Sequence, residues 1–304
     1  MTALLDASVP RRLRTPRRYV PALLVTPAAT FLMVFFIVPL STVMALTLFD
    51  YQPLTRSIRF VGLRNWDRIL TSPELQQATF NTLLYAMLTV PVIVGLSLLA
   101  ALGIHALPRW GGLWRTVYFL PTIATMAAMS VVWRRLFYPG TGLVDSTIGR
   151  LTGATDWLHS TTLALPAIAV IGSWAGIGSS MVMFLAGLSS VPRHLHEAGR
   201  LDGAGPWHRF WHITWPALGP STMFALIIAT RDALRVFDQV HVMTDGGPLG
   251  ATETLADLQW RYGVSYLDIG SGSIVNTVLL GLVLVTVAAQ YLAGGRRLER
   301  AGAR

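Results

Sequence analysis

Long apolar runs recur along this chain and constrain its fold more than any other feature. Six of them are long enough to cross a lipid bilayer, at residues 21–48, 78–106, 113–137, 163–190, 221–244 and 270–293. The bilayer core offers no water to main-chain N–H and C=O groups, so each run must satisfy these groups internally, as a helix. The sequence therefore predicts an all-α, polytopic membrane protein with about six transmembrane helices.

The composition supports this class and excludes several activities. Hydrophobic residues make up 53% of the 304 residues and charged residues only 13%, too apolar for a typical soluble protein. All 24 basic residues are arginine, which excludes the lysine of a P-loop, of a Schiff base or of a kinase. If nucleotide hydrolysis drives this protein, a partner must bind the nucleotide. Cysteine is absent, which excludes disulfides, thiolate metal sites and cysteine nucleophiles.

The arginines predict an orientation. Five of them precede the first apolar run, at residues 11, 12, 14, 17 and 18. With both termini in the cytoplasm, 14 arginines fall inside and eight outside, while Arg231 and Arg235 fall in the fifth run. Cytoplasmic loops carry the excess of basic residues, so this count favours the orientation moderately. The net charge of +9 then reflects topology, and we expect no nucleic-acid partner.

Two shorter patterns predict how the helices are arranged. Residues 61–70 read as a short external interfacial helix with Trp66, Ile69 and Leu70 on one face. In the fourth run, glycines recur at spacings that let helices approach closely. These glycines are Gly172, Gly176, Gly178 and Gly187.

Residues 191–220, VPRHLHEAGRLDGAGPWHRFWHITWPALGP, form the longest polar interruption in the second half of the chain. Pro192 can open a first short helix, and Asp202, Gly203 and Gly205 break it. Pro206 suits the first turn of a second, amphipathic helix that is rich in aromatic residues. We refer to residues 191–220 as the elbow. Its two helices predict a cytoplasmic surface that contacts another protein; an ordinary surface loop with an interfacial helix is the alternative.

Charged residues within the fifth run predict an aqueous cavity. An arginine near the bilayer centre costs about 2.5 to 3.5 kcal/mol on insertion scales, so Arg231 should face protein or water. Arg235 and Asp238 are three residues apart and can pair on one helical face. Structural pairing and direct solute binding both remain open for this group.

Polar and aromatic side chains in the apolar runs are candidates for the solute pathway. Sugars require hydrogen-bonding groups beside flat apolar faces, although packing between helices would explain each residue as well. The candidates are Asn81, Tyr85, Trp174, Arg231, Asp232, Gln239 and Asn276. We expect neither a catalytic residue nor a metal site, because no nucleophile has an arranged partner and the sequence HLHE lacks the HExxH spacing.

The elbow also carries a family resemblance. Residues 197–220, EAGRLDGAGPWHRFWHITWPALGP, resemble the cytoplasmic loop of permease subunits in bacterial binding-protein-dependent ABC importers. Four further stretches resemble the carbohydrate-uptake branch, namely VGLRNW, NTLLYA, WRRLFYPGTGLVDSTIG and RVFDQVHVMTDGGPLGATETLADLQWRYG. The maltose-type and glycerol-phosphate-type first permease subunits fit best. The chain departs from the family pattern at Gly199, where the second alanine of a Glu-Ala-Ala triplet is usual.

The resemblance implies an import function and a set of partners. The chain would form half of the translocation pathway for a sugar or sugar-like solute, including a glycerophosphodiester or glycerol-3-phosphate. An extracytoplasmic binding protein would deliver the solute, a second, distinct and homologous permease chain would complete the pathway, and two ATPase subunits would bind ATP and Mg²⁺. This chain itself would carry no cofactor. It would cross the bacterial inner membrane several times and contact lipid.

Within that family the elbow docks into an ATPase subunit. The residues that match the docking motif are Glu197, Ala198, Gly199, Asp202, Gly203, Ala204, Trp207 and Phe210. The predicted domains are a cytoplasmic tail at 1–20, a permease domain at 21–293 and a second cytoplasmic tail at 294–304. The main alternative is an ion- or proton-coupled secondary transporter that works without an ATPase. An intramembrane enzyme is disfavoured because no catalytic constellation is evident.

Overall fold

The computed structural model describes residues 20–107, 109–149, 151, 153 and 156–302. Of the predicted N-terminal tail, all but Val20 lies outside the described residues, including its five arginines. Arg150 and Arg304 lie outside them too, and for residues 295–302 only the main chain is described. The chain divides into two units, Met1–Ala45 and Leu46–Arg304.

The described part of the first unit is an apolar helix interrupted by one π-helical turn. Helix α1 (Val20–Leu32) leads through the turn Met33–Ile37 into α2 (Val38–Leu46). The segment Leu23–Leu46 is long and apolar enough to cross a membrane. Large apolar side chains such as Phe35 are exposed along it, as suits a helix surrounded by lipid. The predicted first span is therefore present.

The second unit begins with a small antiparallel hairpin that the sequence did not predict. Strand β1 (Phe49–Gln52) pairs with β2 (Ser57–Phe60), and helix α3 (Arg64–Leu70) follows. In α3, Ile69 is buried, but Leu70 is 49% exposed. The predicted short helix is therefore present, with Leu70 as its last residue.

Helices make up nearly all of the rest of this unit. In chain order they are α4 (Pro73–Ala106), α5 (Gly111–Ile123), α6 (Met126–Leu136), α7 (Ala164–Ser190), α8 (Arg193–Leu201), α9 (Pro206–Arg209), α10 (Trp215–Ala217), α11 (Gly219–Leu234), α12 (Asp238–Thr244), α13 (Leu255–Trp260) and α14 (Ile269–Gly302). Short π-helical segments lie at Asp145–Gly149, Phe210–Thr214 and Arg261–Ser265. The all-α class is confirmed.

Two of the predicted spans are broken rather than continuous. Among the described residues, four helices can each cross a membrane alone, and two bent helix pairs raise the number to as many as six. The predicted third span, 113–137, bends by 95° between α5 and α6. The second bent pair is Pro206–Ala217 with Gly219–Thr244, which bends by 65° just before the predicted fifth span. Within that span, 221–244, the helix is interrupted between Leu234 and Asp238, where α11 ends and α12 begins. The main chain is not helical at residues 124–125, between α5 and α6, or at residues 235–237, between α11 and α12.

The glycines of α7 allow the close helix packing that the sequence predicts. A Cβ atom on Gly172 would overlap the hydroxyl of Tyr85 on α4, and one on Gly178 would overlap the main-chain oxygen of Tyr118 on α5. Similarly, a Cβ on Gly187 would overlap the hydroxyl of Ser221 on α11. Helix α7 is therefore the element against which three other helices pack, and small side chains set the distances.

Residues 245–268 connect α12 to α14 and are tied to α4 by Asn81. The Asn81 amide donates to the carbonyls of Gly250 and Glu253, at 2.8 and 2.9 Å. The Glu253 side chain is only 4% exposed and lies 3.0 Å from the Arg261 guanidinium. Burial raises the pKa of Glu253 to about 7, although the charge of Arg261 opposes this rise.

The packing of α7 predicts that Gly178→Ala destabilises the protein. The added methyl would collide with main-chain atoms of α5, which cannot rotate away as a side chain can, so we expect a loss of about 1 to 3 kcal/mol. Gly95→Ala on α4 is the matched control, because a Cβ at Gly95 meets nothing within 4 Å. Thermal unfolding of the detergent-purified protein measures the effect. Equal unfolding midpoints for the two variants would contradict this account of the packing.

Candidate functional site

Residues from five helices enclose a cavity in the second unit. The cavity has a volume of about 500 Å³ and is open on one side. It is lined by Pro121, Thr122, Ala124, Met126, Gly172, Ala175, Gly176, Ser179, Asp232, Arg235, Val236, Phe237, Asp238 and Gln239. These residues come from the α5–α6 break, the middle of α7, and the α11–α12 break.

Both helix breaks thus face the same space. Irregular main chain at membrane depth is tolerated only where it is buried in protein or lines an aqueous cavity. At the second break, the N–H groups of Arg235 and Val236 are satisfied by the carbonyls of Asp232 and Ala233, both at 3.3 Å. These two N–H groups are therefore paired within the turn, and Arg235, Val236 and Phe237 of the same segment line the cavity.

The charges that line the cavity are only partly paired. Asp232 is neutralised by its neighbour Arg231, whose Nε and Nη2 atoms donate to one carboxylate oxygen at 3.0 and 2.8 Å. Neither Arg235 nor Asp238 has a side-chain partner among the described residues. The expected pairing of Arg235 with Asp238 is wrong, because the helix ends between them and they do not share a helical face. One cationic and one anionic group remain free to bind a solute.

A smaller recess of about 80 Å³ extends this cavity towards α4. The Gln239 amide lines both spaces and donates a hydrogen bond of 3.4 Å to the Tyr85 hydroxyl. Ser179 and Asp232 also line both. The structure thus brings together three of the predicted pathway residues, Tyr85, Asp232 and Gln239.

The other four predicted residues do not line either space. Asn81 binds the connection 245–268 through its side-chain amide. Trp174 packs edge to face on Trp133, with 5.5 Å between ring centroids. Arg231 acts on the cavity only through Asp232, and Asn276 lies half-buried on α14.

Sequence reasoning did not select Thr122, Ser179 or Phe237 as lining residues. Ser179 lies seven residues after Gly172 and three after Gly176, so these three residues share one face of α7. That spacing was a usable signal. No comparable signal marked Thr122 or Phe237, because their positions depend on where the two spans break.

The elbow has the predicted shape of two helices around a bend. Helix α8 ends in a Schellman motif, in which the N–H of Ala204 bonds the carbonyl of Gly199 at 2.8 Å and the N–H of Gly203 bonds that of Arg200 at 3.1 Å. Gly203 has φ +77°, a conformation that glycine adopts without strain. Pro206 then opens α9, as predicted.

Apolar side chains are exposed at the tip of the elbow. Leu201 is 90% exposed and Trp207 is 73% exposed. Trp207 stacks on Phe210, with 6.2 Å between ring centroids, and Trp211 adds an edge-to-face contact at 5.7 Å. Glu197 is exposed on α8. A rigid aromatic surface beside an exposed carboxylate is suited to binding another protein.

The structure explains why position 199 can hold glycine, where the family pattern usually has alanine. A Cβ there would lie 3.3 Å from Cδ1 of Ile213 and 3.4 Å from Cδ of Arg209. Glycine weakens a helix by about 1 kcal/mol relative to alanine, but here it lets the two elbow helices lie close together. The elbow is therefore compact in spite of the substitution.

The inner end of the elbow is fixed in the helix bundle by Leu218. This side chain is fully buried in a cluster with Ile104, Phe184 and Leu188. It also lies against Gly187, where a Cβ would come within 2.9 Å of its Cδ2 atom. Leu218 thereby packs the base of the elbow against α7.

The chain matches a known family over most of its length. Residues 68–298 match the model of the binding-protein-dependent transport system inner membrane component. The chain belongs to this family. The predicted identity is confirmed: it is a membrane-embedded permease subunit of an ABC importer, a protein that is not an enzyme. The family description also confirms the predicted inner-membrane location.

Relatives of this permease include the types that the sequence indicated. The sn-glycerol-3-phosphate permease UgpA of Agrobacterium fabrum is 30% identical over 91% of this chain and 94% of its own. The trehalose/maltose permease MalF of Thermococcus litoralis is 31% identical over 96% of this chain and 99% of its own. A bacterial importer of the polysaccharide alginate shares the fold, with a TM-score of 0.78, 18% identity, and coverage of 92% and 96%.

The free charges of the cavity predict that Asp238→Asn lowers solute uptake. A hydrogen bond to a charged group contributes about 1.5 to 3 kcal/mol, so its loss should reduce uptake by about tenfold or more. Asp67→Asn is the matched control, because Asp67 lies on α3 and does not line the cavity. Uptake into proteoliposomes of equal protein content measures the effect. Unchanged uptake by Asp238→Asn and also by Arg235→Gln would show that these charges do not contact the solute.

The elbow geometry predicts that Gly203→Pro uncouples the permease. Proline fixes φ near −65°, whereas this site requires +77°, and it removes the N–H that bonds Arg200. The same elbow offers a control in Gly205→Ala, because Gly205 has φ −65° and no atom lies within 4 Å of its added Cβ. We expect Gly203→Pro to abolish uptake in an assembled complex. Normal transport by that complex would rule out this role for the bend.

Proposed function

We propose that this permease forms half of the pathway by which an ATP-driven importer carries a sugar or sugar-like solute into the cell. The main observation is that two broken helices meet at one cavity, where Arg235 and Asp238 remain unpaired. Discontinuous membrane helices commonly form the solute sites of transporters. A glycerophosphodiester or glycerol-3-phosphate is the narrower alternative for the solute.

The chemistry of the cavity supports a polyhydroxylated solute. Hydroxyl groups both donate and accept hydrogen bonds, so they can use a guanidinium, a carboxylate and an amide together. Arg235, Asp238 and Gln239 supply these groups, and Phe237 supplies a flat apolar face beside them. The relatives named for glycerol-3-phosphate, sulfoquinovosyl glycerol and trehalose/maltose all carry polyol or sugar solutes.

We assign the partners by the same reasoning. A second permease, a distinct homologous chain, completes the pathway, and an extracytoplasmic binding protein delivers the solute. The alginate importer, which shares the fold, has been captured with its periplasmic binding protein. Two ATP-binding cassette subunits carry ATP and Mg²⁺, because this chain lacks the lysine of a P-loop.

The elbow would dock into one ATPase subunit. In this assignment Glu197 makes polar contacts, Gly203 provides the bend, and Trp207 with Phe210 braces the surface. The remaining residues of the docking motif are Ala198, Gly199, Asp202 and Ala204, of which Ala198 and Asp202 are exposed and Gly199 and Ala204 are half-buried. Both termini would then be cytoplasmic, with 21–293 as the permease domain and 191–220 as its coupling loop.

The source of energy tests the proposal against a secondary transporter. We expect solute uptake by the reconstituted complex to require hydrolysable ATP and to stop when the ATPase subunits are left out. Binding-protein-loaded proteoliposomes, with and without ATP inside, measure this requirement. Uptake that follows an imposed proton gradient in vesicles holding this chain alone would instead establish the secondary transporter.

A further inference from the structure

Three potential metal ligands come together beside α12, and none of them lines the cavity or belongs to the elbow. They are His241 and Asp245 at the end of α12 and Asp257 on α13. Nδ1 of His241 lies 3.0 Å from Oδ1 of Asp257 and 3.3 Å from Oδ1 of Asp245. The three ligand atoms all lie within 4.8 Å of one another.

These separations suit a bound divalent ion. Nitrogen and oxygen ligands about 2.1 Å from an ion at tetrahedral or octahedral angles are roughly 3.0 to 3.5 Å apart. The two shorter separations in this cluster already fall in that range. One imidazole and two carboxylates favour a first-row ion such as Zn²⁺ over Ca²⁺, which prefers a set of six to eight oxygen ligands.

The carboxylate of Asp257 supplies an independent indication. Its side chain is only 2% exposed, and its Oδ2 atom is buried without a hydrogen-bond partner. A buried anion that is only partly satisfied is costly. The Arg261 guanidinium lies 3.7 Å away and is closer to Glu253, at 3.0 Å. Oδ1, the other oxygen, lies within hydrogen-bond distance of Nδ1 of His241, at 3.0 Å. A cation bound by Oδ1 and Nδ1 in place of that hydrogen bond would offset the charge of the buried carboxylate.

The surroundings hold these ligands in place. The His241 ring stacks on Phe237, with 4.9 Å between centroids and 17° between planes. Trp260 contacts the same ring edge to face at 5.8 Å. Asp245 takes a left-handed conformation with φ +50° at the end of α12, where its N–H bonds the carbonyls of Val240 and His241. This turn brings its carboxylate back over the imidazole.

We propose that His241, Asp245 and Asp257 bind a first-row divalent cation, with Zn²⁺ as the best match. The ion clamps α12 to α13 at the outer end of the permease. The sequence did not predict this site, because Asp257 lies 16 residues from His241 and only the fold brings it close. The inference stands independently of the transported solute.

Metal titration of the full chain in its purified complex tests the proposal. After treatment with EDTA and dialysis, ZnCl₂ is titrated by calorimetry and the unfolding temperature is followed in parallel. We expect one Zn²⁺ per chain and a rise in the unfolding temperature, since binding to the folded state alone stabilises it. Asp245→Asn should weaken binding by at least about tenfold without unfolding the protein, because its side chain is 82% exposed.

Matched variants separate this site from other histidines. His241→Gln should also lose the ion, whereas His159→Gln should keep it, because His159 pairs only with Asp156. His208→Gln should keep it as well, although His208 stacks on His212 in the elbow. Zinc binding that survives both Asp245→Asn and His241→Gln would overturn the proposal. The absence of any bound zinc at 100 µM in the wild type, a concentration well above the Kd of a typical protein zinc site, would overturn it too.

Discussion

The fold depends on the need to pair every main-chain N–H and C=O group within the membrane. A continuous helix meets this need along its whole length, and a broken one meets it only where protein or water supplies partners. In this permease the α5–α6 bend and the α11–α12 interruption line one cavity. At the α11–α12 interruption the N–H groups of Arg235 and Val236 bond carbonyls of α11, and the Val236 carbonyl accepts a hydrogen bond from the Thr254 hydroxyl at 2.9 Å. These bonds satisfy part of the main chain of the segment that carries Arg235 to the cavity.

Helix α7 connects this cavity to the elbow. Its inner end lies against Leu218, the buried residue at the base of the elbow. Gly172 and Ser179 line the cavity on the same helix. Gly187 and Gly172 are 15 residues apart, or roughly 22 Å along a helix. Because α7 packs closely against its neighbours through small residues, against main-chain atoms of α5 at Gly178, a displacement at one end of the helix would be carried to the cavity wall as the movement of a rigid element.

Much of this arrangement could be predicted from local sequence. The apolar runs identified the spans, Gly203 and Pro206 identified the bend, and the glycine spacing identified the packed face of α7. Each of these signals is set by neighbours within one or two helical turns. What failed depended on distant parts of the chain: the sequence offered Arg235 and Asp238 as a pair on one helical face, whereas the helix ends between them. Asn81 was likewise predicted to line the solute pathway. Its hydrogen-bond partners are carbonyls 169 and 172 residues away in the sequence, so no local pattern could reveal them.

The short helix α12 connects the cavity with the cluster of His241 and Asp257. Its first turn supplies Asp238 and Gln239 to the cavity, and its last turn places His241 against Asp257. With only seven residues, it cannot bend internally, so any rotation that moves the cavity residues must also move the outer cluster. A contact that fixes His241 would therefore restrict the movement of the cavity wall. A rotation of α12 at the cavity would likewise displace His241.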